Sequence, residues 1–166
     1  MKKLLCVLLT LFVIQGYSQR RVLVDELINK GTDEKPTMYF ESALFNGLSF
    51  DVYEDSQLKL EENYKDGKLD GIVKSWYDNG QLKAEANSKD GKLDGFAQYW
   101  YYNGQLKAKA NYKDGKFDGI VKSWYENGQL RYEENWKDGK FDGLQKEWYE
   151  DGQLKSEGNY KDGIGQ

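Results

Sequence analysis

Trp76, Trp100, Trp124 and Trp148 recur every 24 residues, each followed by a tyrosine and, four residues on, by a glycine. Aromatic faces stack on sugars and quaternary ammonium groups, and Trp and Tyr dominate the hot spots of protein interfaces. A row held in one phase is therefore a candidate contact ladder. It suits a protein partner, an envelope glycan or a lipid headgroup at a membrane surface. The same row has a purely structural reading, in which the rings shield backbone and the stems of lysines such as Lys83.

The carboxylates offer less. Lys65-Asp66-Gly67-Lys68-Leu69-Asp70-Gly71 has the look of a calcium loop, yet Lys65 and Lys68 flank Asp66, and calcium needs converging oxygens without nearby cations. Each Asp sits where a turn needs one, so turn geometry accounts for them. Paired carboxylates also serve glycoside hydrolysis, but no unit of the array places them where the others do not. The chain has no histidine, and its one cysteine, Cys6, lies in the leader. Ser-His-Asp and Cys-His catalysis and Cys/His zinc sites are thereby excluded. The reading is no enzyme, no cofactor and no metal.

Residues 1–18 read as a secretory signal: Lys2 and Lys3, the apolar run Leu4–Ile14, then Gly16 and Ser18 before a cut at Gln19. The run is too short to span a bilayer comfortably. Export to the periplasm or medium is expected. Cleavage removes two lysines and leaves 22 basic against 28 acidic residues, a net charge of −6. Nucleic acid is a poor partner for such a surface.

The elements that must position the ladder follow from the repeat itself. Asn63–Ala86 returns at Asn87, Asn111 and Asn135 without insertion or deletion, and a fragment restarts at Asn159. Such a period marks tandem units that need their neighbours to bury an apolar face. The units are 39–62 (degenerate, with Asp55-Ser56 in place of Asn79-Gly80), 63–86, 87–110, 111–134, 135–158 and a partial 159–166. Residues 19–38 precede them as an N-terminal cap segment and loop, with one short strand or capping turn near Val22.

Two turn signals alternate within a unit, Asn79-Gly80 and Asp90-Gly91, each suited to a two-residue type I′ turn. That geometry predicts Tyr77 facing Leu82, Ser75 facing Ala84, Ala86 facing Gly95 and Ala84 facing Ala97. One face then receives Leu69, Gly71, Val73, Ser75, Tyr77, Leu82, Ala84 and Ala86, with Tyr64, Tyr112, Trp136 and Tyr160. The other receives Lys68, Asp70, Ile72, Lys74, Trp76, Lys83, Glu85 and Asn87, with Lys74 opposite Glu85. The fold class is all-β: an elongated antiparallel meander of β-hairpin repeats, about 50 Å long at 4.8 Å per strand. It is expected to curl around its apolar face, unless residues 20–38 or a second chain cover that face. The last strand, Gln153–Lys161, is left as an open edge on which a partner strand can add, or which Lys155, Glu157 and Lys161 protect.

The unit Tyr-x-Asp-Gly-Lys-x-Asp-Gly-x-x-x-x-Trp-Tyr-x-Asn-Gly-Gln-Leu-Lys resembles the MORN repeat variant, in the version found in YwqK-family antitoxins. The resemblance runs over roughly 39–163. It implies a β-hairpin repeat sheet used for interaction, and an antitoxin that neutralises a partner toxin by binding it. The residues themselves point to a non-catalytic exported protein that binds another protein along its sheet.

Overall fold

The computed structural model describes residues 21–32 and 36–166. The signal segment expected over 1–18 lies outside them. Among the described residues there is no α-helix. The repeats form β5 (Gly47–Val52), β6 (Leu58–Lys65), β7 (Lys68–Trp76), β8 (Leu82–Lys89), β9 (Lys92–Trp100), β10 (Leu106–Lys113), β11 (Lys116–Phe117), β12 (Gly119–Trp124), β13 (Leu130–Lys137), β14 (Lys140–Trp148), β15 (Leu154–Lys161) and β16 (Ile164–Gly165). With β1 (Arg21–Leu23) they make one 13-stranded sheet in which sequence neighbours pair. The meander is antiparallel throughout, except that β1 adds to β5 in parallel.

The Asp-Gly corners behave as their composition dictates. Asp90 and Gly91 both take positive φ, 51° and 83°, and Asp66, Asp114, Asp138 and Asp162 repeat the conformation. Asp tolerates this region better than most side chains and glycine takes it freely. The degenerate first unit keeps the corner without the dipeptide: Glu41 and Ser42 have φ of 48° and 70° between β3 (Met38–Phe40) and β4 (Ala43–Leu44).

The Asn-Gly corners depart from expectation. Gly80 is left-handed (φ 81°) but Asn79 is not. The Gly80 N–H donates to Tyr77 O (3.0 Å) and the Tyr77 N–H to Gln81 O (2.8 Å). This is a type I turn closed by a glycine bulge, a three-residue loop. Asn79 earns its place by side-chain bonds instead, accepting from the Gln81 N–H (3.0 Å) and donating to Tyr102 O in the next unit (2.9 Å). The loop shifts the register by one, so Trp76 pairs with Leu82 while Ser75 still pairs with Ala84. Tyr77 therefore faces Gln81, not Leu82, and beside this corner the expected faces are exchanged: Leu82 stands opposite Trp76 instead of sharing a side with Tyr77.

A second correction concerns the Asp-Gly hairpins. Ser88 pairs with Leu93 as expected from the turn, but Ala86 then pairs with Ala97 and Ala84 with Tyr99. The register slips by two opposite Asn87, where Asp94, Gly95 and Phe96 loop past a single residue. Gly95 has φ 106° there. At the equivalent slip in the preceding unit, the Asn63 side chain donates to Ile72 O (2.7 Å) and fills the widened gap. A slip of two preserves the alternation of sides, so the two faces survive it.

Residues 28–44, which run from the expected cap segment into the degenerate first unit, do more than predicted. β2 (Ile28–Asn29), β3 and β4 form a separate three-stranded sheet. Phe45, Val22 and Tyr64 are buried together, with Leu27, Met38, Phe40 and Leu69 packed around them. This cap covers only the first end of the array. Further along, a single layer buries its own face: Ala97 is 0% exposed and Ala110 and Ser88 are 8%. Small side chains vanish in that way only on the concave side of a curled sheet. At the far end, β16 covers only Tyr160 and Lys161 of β15, so the final edge is partly closed where an open one was expected.

Units are tied to one another by repeated bonds. The hydroxyls of Tyr53, Tyr77, Tyr101 and Tyr125 donate to the carbonyls of Trp76, Trp100, Trp124 and Trp148 at 2.7, 2.8, 2.8 and 2.9 Å. Replacing Tyr101 by Phe should lower stability by about 1 kcal/mol, since a part-buried carbonyl loses its donor. Tyr149→Phe is the internal control, because Tyr149 is 51% exposed and has no such acceptor. Thermal denaturation of the pair should show a fall in Tm for the first and none for the second.

Candidate binding face

The aspartates four residues beyond each corner are occupied by the fold. Asp70, Asp94 and Asp118 each accept from the backbone N–H of the corner in the next unit, at 3.2–3.4 Å. In the last unit Lys161 pairs with Asp142 at 2.6 Å and, with the Asp162 backbone N–H, holds its carboxyl below the usual range. Among the described residues no group of three or more acidic side chains is arranged to hold a metal ion.

The concave face carries a continuous aromatic stack. Tyr112, Phe117, Trp136, Phe141 and Tyr160 follow one another with ring centroids 4.7, 5.0, 4.1 and 5.4 Å apart. Sequence reasoning placed Tyr112, Trp136 and Tyr160 on this side but missed that Phe117 and Phe141 close the gaps. The signal was present: Phe117 and Phe141 stand where other units have Leu69 and Leu93, and they pair with Tyr112 and Trp136 across the Asp-Gly corner. Burial pushes the Tyr112 hydroxyl up to about 12, helped by Tyr99. Burial also raises Tyr64, whose hydroxyl donates to Glu62 at 2.9 Å.

This face does not stay apolar along its length. Toward the C-terminal end, Tyr132, Glu134, Gln145 and Glu147 stand where Ala108, Ala110, Val121 and Ser123 stand one unit earlier. Glu134 accepts from the Trp136 indole (3.0 Å), and Glu147 pairs with Lys155 (2.8 Å), which lowers its pKa. Glu134 is thus held by a donor of the following unit and Glu147 by one of its own.

The convex face is organised in three rows. The expected tryptophans form one of them. Trp76, Trp100, Trp124 and Trp148 are half-buried, and the described ring contacts include none between them. Two strands separate each from the next, about 9.6 Å, too far for direct stacking. Nor do they lie over the lysines first assigned to them. Lys83 sits over Tyr77 (5.6 Å to the ring centroid), as Lys107 does over Tyr101 and Arg131 over Tyr125, because the one-residue bulge turns these cations toward the tyrosines. The cation over a ladder tryptophan is Lys109, 5.8 Å from the Trp124 ring.

Four residues along each strand from the tryptophans runs an apolar row that the sequence alone did not single out. Ile72, Phe96, Ile120 and Leu144 are 41%, 41%, 46% and 39% exposed. The phase of Ile72 was visible, but its fellows had not been gathered into a surface.

Between these rows lies a polar ladder, mostly of charged residues, that runs from β6 to β15. Glu61 pairs in register with Lys74, Lys74 with Glu85, Glu85 with Gln98, Gln98 with Lys109, Lys109 with Lys122, Lys122 with Glu133, Glu133 with Lys146 and Lys146 with Glu157. Ion pairs close at Lys74–Glu85 (3.2 Å), Lys122–Glu133 (2.6 Å) and Lys146–Glu157 (3.1 Å). The first of these is the pair the sequence predicted.

The family profile described as MORN repeat variant matches residues 69–90, 93–114, 117–138 and 141–162, together more than half of the chain. No curated protein matches the sequence.

Proposed function

Because the chain belongs to the MORN repeat variant family, whose repeats are commonly protein- or membrane-interaction modules, we propose that it is a non-catalytic exported protein that binds another protein along its sheet. One observation carries the reading. The convex face presents half-buried tryptophans and exposed aliphatic or aromatic side chains in parallel rows, flanking a polar ladder, over most of the sheet's length. Surfaces that combine anchoring aromatics with a polar surround are those protein interfaces use. Export is supported by the charged start and apolar run of residues 1–18. Toxin neutralisation, implied by the resemblance to YwqK-family antitoxins, would be one form of such binding.

The convex face is tested by capture from envelope extracts with wild type and a Trp100→Ala/Trp124→Ala double variant. Capture should fall at least about tenfold in the double variant, as expected when two interface aromatics are truncated. Undiminished capture would remove the tryptophan row as the contact surface. Retention on glucan or choline resin, in place of protein capture, would move the same rings to ligand binding.

A further inference from the structure

The charge ladder alternates in sign with one interruption. From Glu61 to Glu85 and again from Lys122 to Glu157, acid and base take turns. In the unit between them Gln98 stands where Lys74, Lys122 and Lys146 stand elsewhere, and Lys109 stands where Glu85, Glu133 and Glu157 do. Lys109 consequently lies between Gln98 and Lys122. Lys122 is neutralised by Glu133, and no carboxylate among the described residues forms an ion pair with Lys109. Like charges set directly opposite destabilise a sheet, so the interruption is not explained by the fold.

A groove among the described residues coincides with this interruption. It has a volume of about 500 Å³ and is lined by Phe96, Gln98, Lys109, Asn111, Ile120 and Lys122. Its origin is a shortened ladder. β10 pairs with β12 only at Ala108–Ser123 and Lys109–Lys122, whereas the corresponding junction of β6 with β7 carries a third pair, Glu62–Val73. The groove thus offers a cation without a carboxylate partner. Phe96 and Ile120 stand on one side, and the Trp124 ring lies beside the Lys109 ammonium.

We infer that this groove receives an acidic side chain of the partner protein, carried on an extended segment with apolar residues two positions to either side. The inference presupposes the protein-binding role proposed above and supplies the chemistry of what is bound. Along a strand, the apolar row and the tryptophan row lie about 13 Å apart, four residues at roughly 3.3 Å each. A segment of pattern apolar-x-acid-x-apolar spans the same distance. Its carboxylate meets Lys109 while its flanking side chains reach Ile120 or Phe96 on one side and a ladder tryptophan on the other. The other cations of the ladder, Lys74, Lys122 and Lys146, already have carboxylate partners, which fixes the docking register to this unit.

The test is titration of isotope-labelled protein with the capped peptide Thr-Leu-Thr-Glu-Thr-Phe-Thr and with its Glu→Gln analogue, followed by amide chemical shifts. Shifts should centre on Gln98, Lys109 and Lys122, and the Gln analogue should bind at least about tenfold more weakly, the scale of a lost charge-assisted contact. Lys109→Glu should abolish the preference for the acidic peptide. It should also leave Tm unchanged or higher, since it restores the alternation opposite Lys122, so loss of binding would not be loss of fold. Equal affinity for both peptides, shifts centred elsewhere, or unchanged binding by K109E would overturn the assignment. So would Lys109-dependent binding to phosphatidylglycerol vesicles without peptide binding. A natural partner captured equally by wild type and K109E, but lost on Trp100→Ala/Trp124→Ala, would overturn the assignment and leave the broader protein-binding role standing.

Discussion

Replacement of Gly67 by alanine is expected to destabilise the protein by about 2–4 kcal/mol, as backbone strain and a steric conflict combine. Gly67 has φ 75°, and a Cβ there would lie 2.6 Å from the carbonyl oxygen of Met38. That carbonyl is not free to yield. It accepts the Phe45 N–H at 2.9 Å, the Gly67 N–H is held by Phe45 O at 2.8 Å, and the Met38 N–H bonds back to Gly67 O. A methyl group at this point separates the β2–β4 sheet from the first full unit and uncovers Phe45, which is 2% exposed. Gly91 occupies the same place one unit later, with φ 83°, but its nearest neighbour would be Lys68 Cβ at 4.0 Å. Gly91→Ala should therefore cost only the conformational term, about 1 kcal/mol. Denaturant or thermal melts of the two variants separate strain from clash; equal losses would mean that the cap is not seated on Gly67.

Removal of the whole unit 87–110 is expected to give a shorter protein that still folds cooperatively. The bonds between units repeat at a fixed interval: Gly91, Gly115, Gly139 and Gly163 donate to Leu69, Leu93, Phe117 and Phe141, each at 2.8–2.9 Å. After excision Gly115 meets Leu69, and Tyr77 meets the carbonyl of Trp124, with the same partners in kind. The convex ladder improves, because Glu85 comes to face Lys122 and the interruption at Gln98 and Lys109 disappears. Stability should change by one unit's own term and one junction, as in any nearest-neighbour array. The denaturant slope should fall with the surface removed. Circular dichroism should retain the strand signal per residue, and the acidic peptide should no longer bind. Global unfolding would show instead that the sheet is one closed, indivisible core.

The contrast between Gly67 and Gly91 also shows how far local sequence reaches. Both are the second residue of an Asp-Gly corner, and both corners were legible because Asp-Gly suits positive φ at two successive residues. Their different costs were not legible. Gly67 abuts a segment from outside the repeat, which no periodicity describes. The same holds for the corner at Glu41 and Ser42, where the conformation persists without its usual residues because β3 and β4 are held by the cap.

The candidate surface divides in the same way. The tryptophan phase, the opposition of Lys74 and Glu85 and the difference between the two faces were all readable. The absence of stacking among the tryptophans, the place of Lys83 over Tyr77 and the isolation of Lys109 were not. The bulge at the Asn-Gly corner changes which side chains meet, though each residue keeps its type. The break in the charge ladder is visible in the letters at 98 and 109, but it has meaning only once Lys109 is known to lie between Gln98 and Lys122.

By itself, then, the order of residues determined the 24-residue unit, the sites of chain reversal and, away from the bulged Asn-Gly corners, which side chains share a face, because alternation along a strand is a local property of the backbone. Only the folded sheet decided the registers, the seating of the cap against Gly67 and the groove around Lys109. A slip of two residues leaves every side chain on its own face, so alternation carries no record of it. Hydrogen bonds reaching 22 or 23 residues ahead, and the widened gaps that asparagine fills, select the register after the strands have met.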